Sequence, residues 1–142
     1  MAIHWVLERP RNRKKSFTFP RIQGRLPDMG KVVVTGAGGF IGSSVAKQLV
    51  ERGREVVAVL EPGANPDSLK GIDLERVEAD ICDHRAMTSI CKGAESLYHL
   101  AAIYRLWLPD PEIIYRVNLE GTMSTLLAAQ KAEVSKIVYT AS

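Results

Sequence analysis

The stretch VVVTGAGGFIG at residues 32–42 carries the strongest structural signal in the chain, because a strand-forming run leads into a turn in which four of seven positions are glycine. Glycine admits positive φ and leaves room for another group beside the backbone, but it costs about 0.5–1 kcal/mol relative to alanine inside a regular element. So many glycines directly after a strand indicate that another group comes close to the backbone there.

Short apolar runs alternate with helical patterns along the rest of the chain. Valine-rich runs suit strands that are buried on both faces, and apolar residues three or four positions apart indicate helices. This alternation predicts an α/β domain with a doubly wound parallel sheet of the Rossmann type. The predicted strands are 31–35, 55–61, 74–80, 96–102 and 135–142, and the predicted helices are 40–53, 84–93 and 110–134. Because the pattern stops on a strand with an apolar edge, we expect a truncated domain that holds only its N-terminal five strands.

The charge of the chain is unevenly distributed. Residues 1–28 hold seven Lys/Arg against two acidic residues, whereas residues 29–142 hold twelve against fourteen. We therefore expect a basic N-terminal extension over 1–28 and a partial Rossmann domain over 29–142. The run RPRNRKK can be a solvated charge run, a nucleic-acid patch or part of a transit segment, and the solvated run is favoured, so no nucleic-acid partner is expected.

The cysteines and the hydropathy narrow the class of protein further. Cys82 and Cys91 form neither a CxxC pair nor a cluster with metal-ligand spacing, so we expect reduced thiols, a cytoplasmic protein and no metal site. No stretch approaches the length of apolar sequence that spans a membrane.

The glycines at 36, 39 and 42 have the spacing G-x-x-G-x-x-G between a predicted strand and a predicted helix. In such a turn the first glycine permits the tight bend, the second lets the backbone approach a pyrophosphate, and the third lets the helix pack closely on the strand. Free N–H groups at the helix start then meet the phosphate charge. A tight turn without a ligand is the alternative interpretation, and a Walker loop is excluded because no Gly-Lys-Ser/Thr follows.

An acidic residue stands where a dinucleotide site needs one. Glu61 follows Gly42 by nineteen residues, at the tip of the second predicted strand. A carboxylate there can accept hydrogen bonds from both ribose hydroxyls and would repel a 2′-phosphate, so NAD is favoured and NADP stays open. A solvated charge at a strand end is the alternative for Glu61.

Five motifs in order, VVVTGAGGFIG, VEADICD, LYHLAA, VNLEGT and IVYTAS, resemble the extended short-chain dehydrogenase/reductase superfamily, which includes NAD-dependent epimerases and dehydratases. The stretch AAIYRLWLPDPEIIYRVNLEGT is most similar to the branch of hopanoid-associated sugar epimerases and dihydroflavonol 4-reductases. The resemblance implies an NAD(P)-dependent enzyme that exchanges a hydride with a sugar-nucleotide or a related hydroxy or keto substrate.

The resemblance also assigns residues to the site. Asp80 would accept a hydrogen bond from the adenine amine, Ile81 would flank the adenine, and Asn118 would shape the site. Ser142 matches the serine that hydrogen-bonds the reacting oxygen of the substrate. The implied cofactor-binding residues are Gly36, Gly39, Phe40, Ile41, Gly42, Glu61, Asp80, Ile81, Leu100, Ala101, Ala102, Tyr104 and Asn118.

The sequence departs from the family in two ways. The hopanoid-associated branch commonly has a basic residue at the position of Glu61, and the family's Tyr-x-x-x-Lys pair would lie beyond Ser142, together with the substrate domain. Since that tyrosine and lysine form a general acid/base pair, we expect the fragment itself to be inactive.

Alternatives remain for several residues and for the function. His99 is expected to be a buried core histidine rather than a catalyst, whereas YRLW at 104–107 suits a pocket or a covering loop equally. A non-catalytic dinucleotide sensor or scaffold is the second candidate function, and an S-adenosylmethionine-dependent methyltransferase is a third. The expected partner of the enzyme is a small-molecule substrate, and a homodimer is considered for the full-length form.

Overall fold

The computed structural model describes residues 30–104 and 109–140. Its centre is one parallel sheet of five strands in the order β3-β2-β1-β4-β5. The strands are β1 Lys31–Thr35, β2 Val56–Leu60, β3 Glu75–Glu78, β4 Ala94–His99 and β5 Lys136–Tyr139. This is the predicted Rossmann-type arrangement. β1 lies in the middle, paired with β2 on one side and with β4 on the other, so the order in which strands are added reverses at β1.

Helices cover both faces of the sheet. They are α1 Phe40–Glu51, α2 His84–Cys91, α3 Glu112–Tyr115 and α4 Thr122–Lys131, with a 3-10 turn at Asp67–Leu69 and a π-helical turn at Arg116–Gly121. Because side chains alternate along a strand, Val32 and Val34 pack on the face covered by α1, while Val33 packs on the face of α2 and α4. The doubly wound arrangement predicted from the sequence is therefore present.

The central strands form where the apolar runs predict them. All five residues of β2 are buried, as expected for a strand covered on both faces. The edge strands β3 and β5 are mostly exposed and are shorter than predicted. No helix in the described ranges is long and apolar enough to cross a membrane.

The fourth strand and the long helix also end earlier than predicted. The fourth strand was predicted to continue to residue 102, but β4 ends at His99 because Leu100 and Ala101 leave the sheet and pass over the glycine turn. The long helix predicted over 110–134 runs only from 112 to 131, and its first half contains the π-helical turn.

Candidate cofactor-binding site

The candidate site lies at the carboxyl ends of β1 and β4, where open α/β sheets bind their ligands. β1 runs directly into the glycine turn, and β4 runs into the segment 100–104. The two strands are hydrogen-bonded neighbours, with Thr35 opposite His99 in register. The sheet topology thus brings the glycine turn and the segment after β4 together.

Gly36 is required by both its conformation and its surroundings. Its φ is +66°, which L side chains rarely adopt, and an added Cβ would lie 2.7 Å from the Ala101 nitrogen and 2.9 Å from the Leu100 carbonyl carbon. The first glycine of the motif therefore forms the predicted bend, and it also lets the segment after β4 lie directly on that bend.

Gly42 lets the first turn of α1 pack against the glycine turn. A Cβ at this position would overlap the Gly36 carbonyl group and would lie 2.9 Å from the Ala37 Cα. The close packing predicted for the third glycine is present, although its partner is the backbone of the turn rather than strand β1.

Gly39 differs from Gly36 and Gly42, because its backbone conformation does not require glycine and its neighbours leave almost enough room for a Cβ. Its φ and ψ are −77° and 172°, which any residue can adopt, and an added Cβ would meet only the Gly36 oxygen, at 3.3 Å. Gly39 is the N-cap of α1, where Ser, Thr, Asp or Asn would supply a stabilising side-chain acceptor. It has no side chain to cap α1, so the space beside the first-turn N–H groups stays open.

The side chains around this helix start point away from the core. Phe40 is 89% exposed, Ile41 is 57% exposed, and the first turn of α1 has no acidic residue. The positive end of the α1 dipole is therefore not compensated by a side chain of the first turn, which leaves it suited to an anion.

Glu61 directly follows β2 and is exposed. The segment after it is fastened to the glycine turn, because the Ser68 hydroxyl donates to the Gly38 carbonyl oxygen over 2.9 Å. A Cβ at Gly38 would lie 3.3 Å from Pro66. This role of Gly38 was not identified from the sequence, although its place in the glycine-rich run was a signal.

Asp80 and Ile81 occupy different environments. Asp80 is exposed, and its carboxylate accepts a hydrogen bond from the Cys82 backbone N–H over 2.9 Å. Ile81 is only 8% exposed and packs in the core beneath α4, where a Cβ at Gly121 would lie 2.7 Å from it. The adenine contacts of both residues stay predictions, and the packing requirement at Gly121 is not evident from the sequence.

His99 is a core histidine, as expected. It is fully buried, its Nδ1 lies 2.7 Å from the Thr35 hydroxyl oxygen, and its Nε2 lies 3.0 Å from the Thr122 hydroxyl oxygen. The Tyr139 ring stacks on it with a centroid distance of 5.5 Å. Burial lowers the pKa of His99 from 6.5 to about 4, so the ring is neutral at pH 7.

Asn118 lies in the π-helical turn and binds the segment after β4. Its side-chain oxygen accepts from the Ile103 N–H, and its side-chain nitrogen donates to the Ile103 oxygen, both over 2.7 Å. π-Helical turns often occur at functional sites. Asn118 therefore holds the segment that contains Ala102 and the 90%-exposed Tyr104.

The remaining site predictions lie at the limits of what the structure describes. Ser142 and residues 105–107 of the YRLW stretch fall outside the described residues. Both cysteines are free thiols, and burial raises the pKa of each. Within residues 30–104 and 109–140, no group of three or more His, Cys, Asp or Glu side chains is arranged to hold a metal ion.

The sheet order β3-β2-β1-β4-β5 and the glycine turn at its switch point are those of the Rossmann class of dinucleotide-binding folds. The model of the 3-beta hydroxysteroid dehydrogenase/isomerase family matches residues 33–142, and the chain belongs to this family. The predicted membership in the superfamily is thereby confirmed.

Individual relatives agree with this assignment. A 3-beta-hydroxysteroid dehydrogenase from Mycolicibacterium neoaurum is 34% identical over 122 residues, covering 81% of this chain and 32% of that protein. A Synechocystis sp. protein provisionally named dihydroflavonol 4-reductase is 38% identical over 112 residues, covering 77% of this chain and 32% of that protein. The chain thus spans about a third of the length of these relatives.

A solved structure with a bound cofactor has the same fold. The UDP-glucose-4-epimerase from Stenotrophomonas maltophila, with bound NAD and formylated UDP-arabinopyranose, superposes with a TM-score of 0.72 at 27% identity. The match covers 80% of this chain and 37% of that one. This structural neighbour therefore binds NAD on a sheet of this fold.

Proposed function

We propose that this chain is the NAD-binding part of an NAD-dependent enzyme that interconverts a secondary alcohol and a ketone in a small molecule. Gly39 is the observation that carries the proposal. Its conformation suits any residue and its surroundings leave room for a side chain after a small shift, yet the helix start is left uncapped. A pyrophosphate bound by the uncapped N–H groups accounts for both features.

The choice of NAD rests on Glu61. Its carboxylate is exposed at the end of β2, and the adjoining segment is fastened to the glycine turn through Ser68. A carboxylate in this place accepts hydrogen bonds from the ribose hydroxyls and repels a 2′-phosphate. NADP is the weaker candidate for this reason.

The residues of this chain would bind and orient the cofactor. The N–H groups of Phe40, Ile41 and Gly42 would face the pyrophosphate, Asp80 would accept from the adenine amine, and the segment 100–102 would run beside the dinucleotide. When bound, NAD supplies two-electron exchange with the substrate carbon. Ser142 would hold the reacting oxygen of the substrate, as the resemblance to the family implies.

The names of the relatives support a proposal for the substrate class. Their names include a steroid dehydrogenase and an epimerase solved with a UDP-sugar. We therefore propose a hydroxy or keto substrate, with a sugar nucleotide as the leading candidate.

Three further features are proposed for the whole protein. The free thiols of Cys82 and Cys91 fit a cytoplasmic protein. The exposed side chains of Leu119, Met123 and Leu127, spaced four residues apart along the helical segment, fit a homodimer contact. We also propose that residues 1–28 are a basic extension and that residues 29–142 form the domain.

Calorimetric titration of the full chain with NAD tests the proposal. We expect saturable binding to the wild type and no measurable binding to Gly39→Val, because the valine side chain would occupy the space for the pyrophosphate. Ser89→Val, at an exposed position of α2 on the other face of the sheet, is the matched control and should bind like the wild type. Unchanged affinity in a folded Gly39→Val variant would reject the proposal.

A further inference from the structure

The Thr35 hydroxyl, although buried in the core, has three hydrogen-bond partners. Its oxygen lies 3.2 Å from the Leu100 backbone nitrogen, 3.3 Å from the Ala101 backbone nitrogen and 2.7 Å from His99 Nδ1. Both backbone groups are N–H donors, so the two lone pairs of the hydroxyl oxygen are occupied. The Thr35 hydroxyl therefore has only its proton left for His99.

These three contacts determine which nitrogen of the His99 ring carries the proton. Since Thr35 donates to Nδ1, that nitrogen carries no proton and acts as the acceptor. A neutral ring then carries its proton on Nε2, which donates to the Thr122 hydroxyl oxygen over 3.0 Å. The hydrogen bonds thus run in one direction, from Thr35 through His99 to Thr122, which joins β1 to α4.

The Thr35 end of this chain of hydrogen bonds lies at the candidate cofactor site. The N–H groups held by Thr35 belong to Leu100 and Ala101, the two residues that lie on Gly36. If the ring were turned or if Nδ1 carried a proton, Thr35 would face a donor and would have to give up one of these N–H groups.

We propose that His99 is a positioning residue of the cofactor site. Its neutral Nε2–H tautomer orients the Thr35 hydroxyl so that both lone pairs hold the segment after β4 on the glycine turn. The consequence for NAD rests on the proposed function, whereas the tautomer does not.

The surroundings of the ring favour this tautomer. β1 and α4 present the hydroxyls of Thr35 and Thr122, and β5 presents the aromatic ring of Tyr139, whose phenol is the titratable group that faces His99. Desolvation is the cause that lowers the pKa of His99. A positively charged ring would have no anionic partner in this contact set, and its Nδ1–H would meet an occupied acceptor.

Two variants distinguish the hydrogen bond at Nδ1 of His99 from the hydrogen bond at Nε2. In His99→Asn the amide oxygen lies near the place of Nδ1 and can still accept from Thr35, whereas in His99→Gln the amide reaches towards Thr122 and leaves Thr35 without its acceptor. We expect NAD affinity within about threefold of the wild type for His99→Asn and about tenfold weaker for His99→Gln, the effect of one lost hydrogen bond. Thr35→Ser, which keeps the hydroxyl, should retain affinity, and Thr35→Val should lose it.

A purely structural histidine would give a different pattern. In that case both His99 variants would change the unfolding midpoint and NAD affinity together, and equal NAD affinity in both would overturn the proposal. If Gly39→Val still abolishes binding in that experiment, the proposed function stands and only the positioning role fails.

The tautomer is measured independently of NAD. Nitrogen-15 NMR of the histidine rings in the wild-type chain should show His99 with an unprotonated Nδ1 and a protonated Nε2, the signals being assigned by their loss in His99→Asn. A proton on Nδ1 of the neutral ring would overturn the proposal whatever the NAD affinities of the two variants.

Discussion

Glu61 is the side chain that we expect to decide between NAD and NADP. Replacing it with glutamine keeps the size of the side chain but removes the charge that repels a 2′-phosphate and the charged acceptor for the ribose hydroxyls. We expect Glu61→Gln to bind NAD about tenfold more weakly and to lose most of its preference over NADP, since hydrogen bonds to charged groups contribute roughly 1.5–3 kcal/mol.

Fluorescence titration with NADH and NADPH measures both affinities. Glu75→Gln, an exposed acid at the start of β3, is the matched control and should leave them unchanged. If Glu61→Gln keeps the wild-type preference, Glu61 is a solvated strand-end charge.

The sign of the change in the free energy of unfolding caused by Gly42→Ala tests how closely α1 packs on the glycine turn. Alanine at a helical position is normally about 0.5–1 kcal/mol more favourable than glycine. Here its Cβ would overlap the Gly36 carbonyl group, so we expect Gly42→Ala to lower the free energy of unfolding by about 1–3 kcal/mol. Urea unfolding measures this, with Ser44→Ala, at an exposed position one turn within α1, as the control. A stabilised Gly42→Ala would show that the helix does not pack this closely.

His99 predicts a loss of stability in mild acid. Its pKa is about 4 in the folded protein and 6.5 without burial, so the unfolded chain binds the extra proton first. The stability that the neutral ring contributes is complete above about pH 6.5 and is lost as the pH falls towards about 4.

We expect this residue to lower the free energy of unfolding by about 2 kcal/mol between about pH 7.5 and about pH 5. Urea unfolding at both pH values, compared between the wild type and His99→Asn, isolates the contribution. An equal loss in both proteins would contradict the buried, neutral assignment.

The sequence identifies residues whose chemistry is evident from spacing, and it misses those defined by contact. Gly36 and Gly42 were found because a strand, a glycine turn and a helix follow one another at fixed distances, whereas the role of Glu61 stays a prediction. Gly38 and Gly121 were not found, since the side chains that crowd them come from Pro66 and Ile81, which are distant in sequence. The three partners of the Thr35 hydroxyl are likewise apparent only after β1 and β4 pair.

The helical segment after β4 shows how one element holds another. The π-helical turn presents Asn118 to the backbone of Ile103, where its amide makes two hydrogen bonds. In Asn118→Ala both bonds are lost, so we expect the Ile103 N–H to exchange with solvent at least about tenfold faster, as one lost hydrogen bond implies.

Hydrogen exchange followed by NMR measures this directly. Asn65→Ala, in an exposed loop, should leave the Ile103 exchange rate unchanged. Undiminished protection of Ile103 in Asn118→Ala would show that another group holds the segment.

Element types were more predictable than element ends. The apolar runs predicted the position of each strand that the structure describes, and burial on both faces explains the runs of the central strands β1, β2 and β4. They did not predict that β4 ends at His99, since the apolar residues of LYHLAA continue to Ala102, whereas Leu100 and Ala101 lie against Gly36 in the structure. The π-helical turn was not predicted from the sequence either.

The outer face of the helical segment predicts how whole molecules associate. Leu119, Met123 and Leu127 are 55%, 56% and 52% exposed, which is unusual for apolar side chains spaced along one helical face. If they form the proposed homodimer contact, Leu127→Glu should reduce the mass in solution from dimer to monomer.

Light scattering coupled to gel filtration measures the mass. Gln130→Glu introduces the same side chain at an exposed position of α4 and should leave the mass unchanged. A wild-type chain that is monomeric throughout would remove this contact from the account.

The uncapped backbone N–H groups at the start of α1 are the proposed binding site for the pyrophosphate of NAD. Two-dimensional amide NMR of the full chain during titration with NAD locates this site residue by residue. We expect the largest shifts at Gly39, Phe40, Ile41 and Gly42. If these signals stay unchanged while others move, for example those lining the groove of Arg85, Lys92 and Lys131 between α2 and α4, the assignment of the site is contradicted.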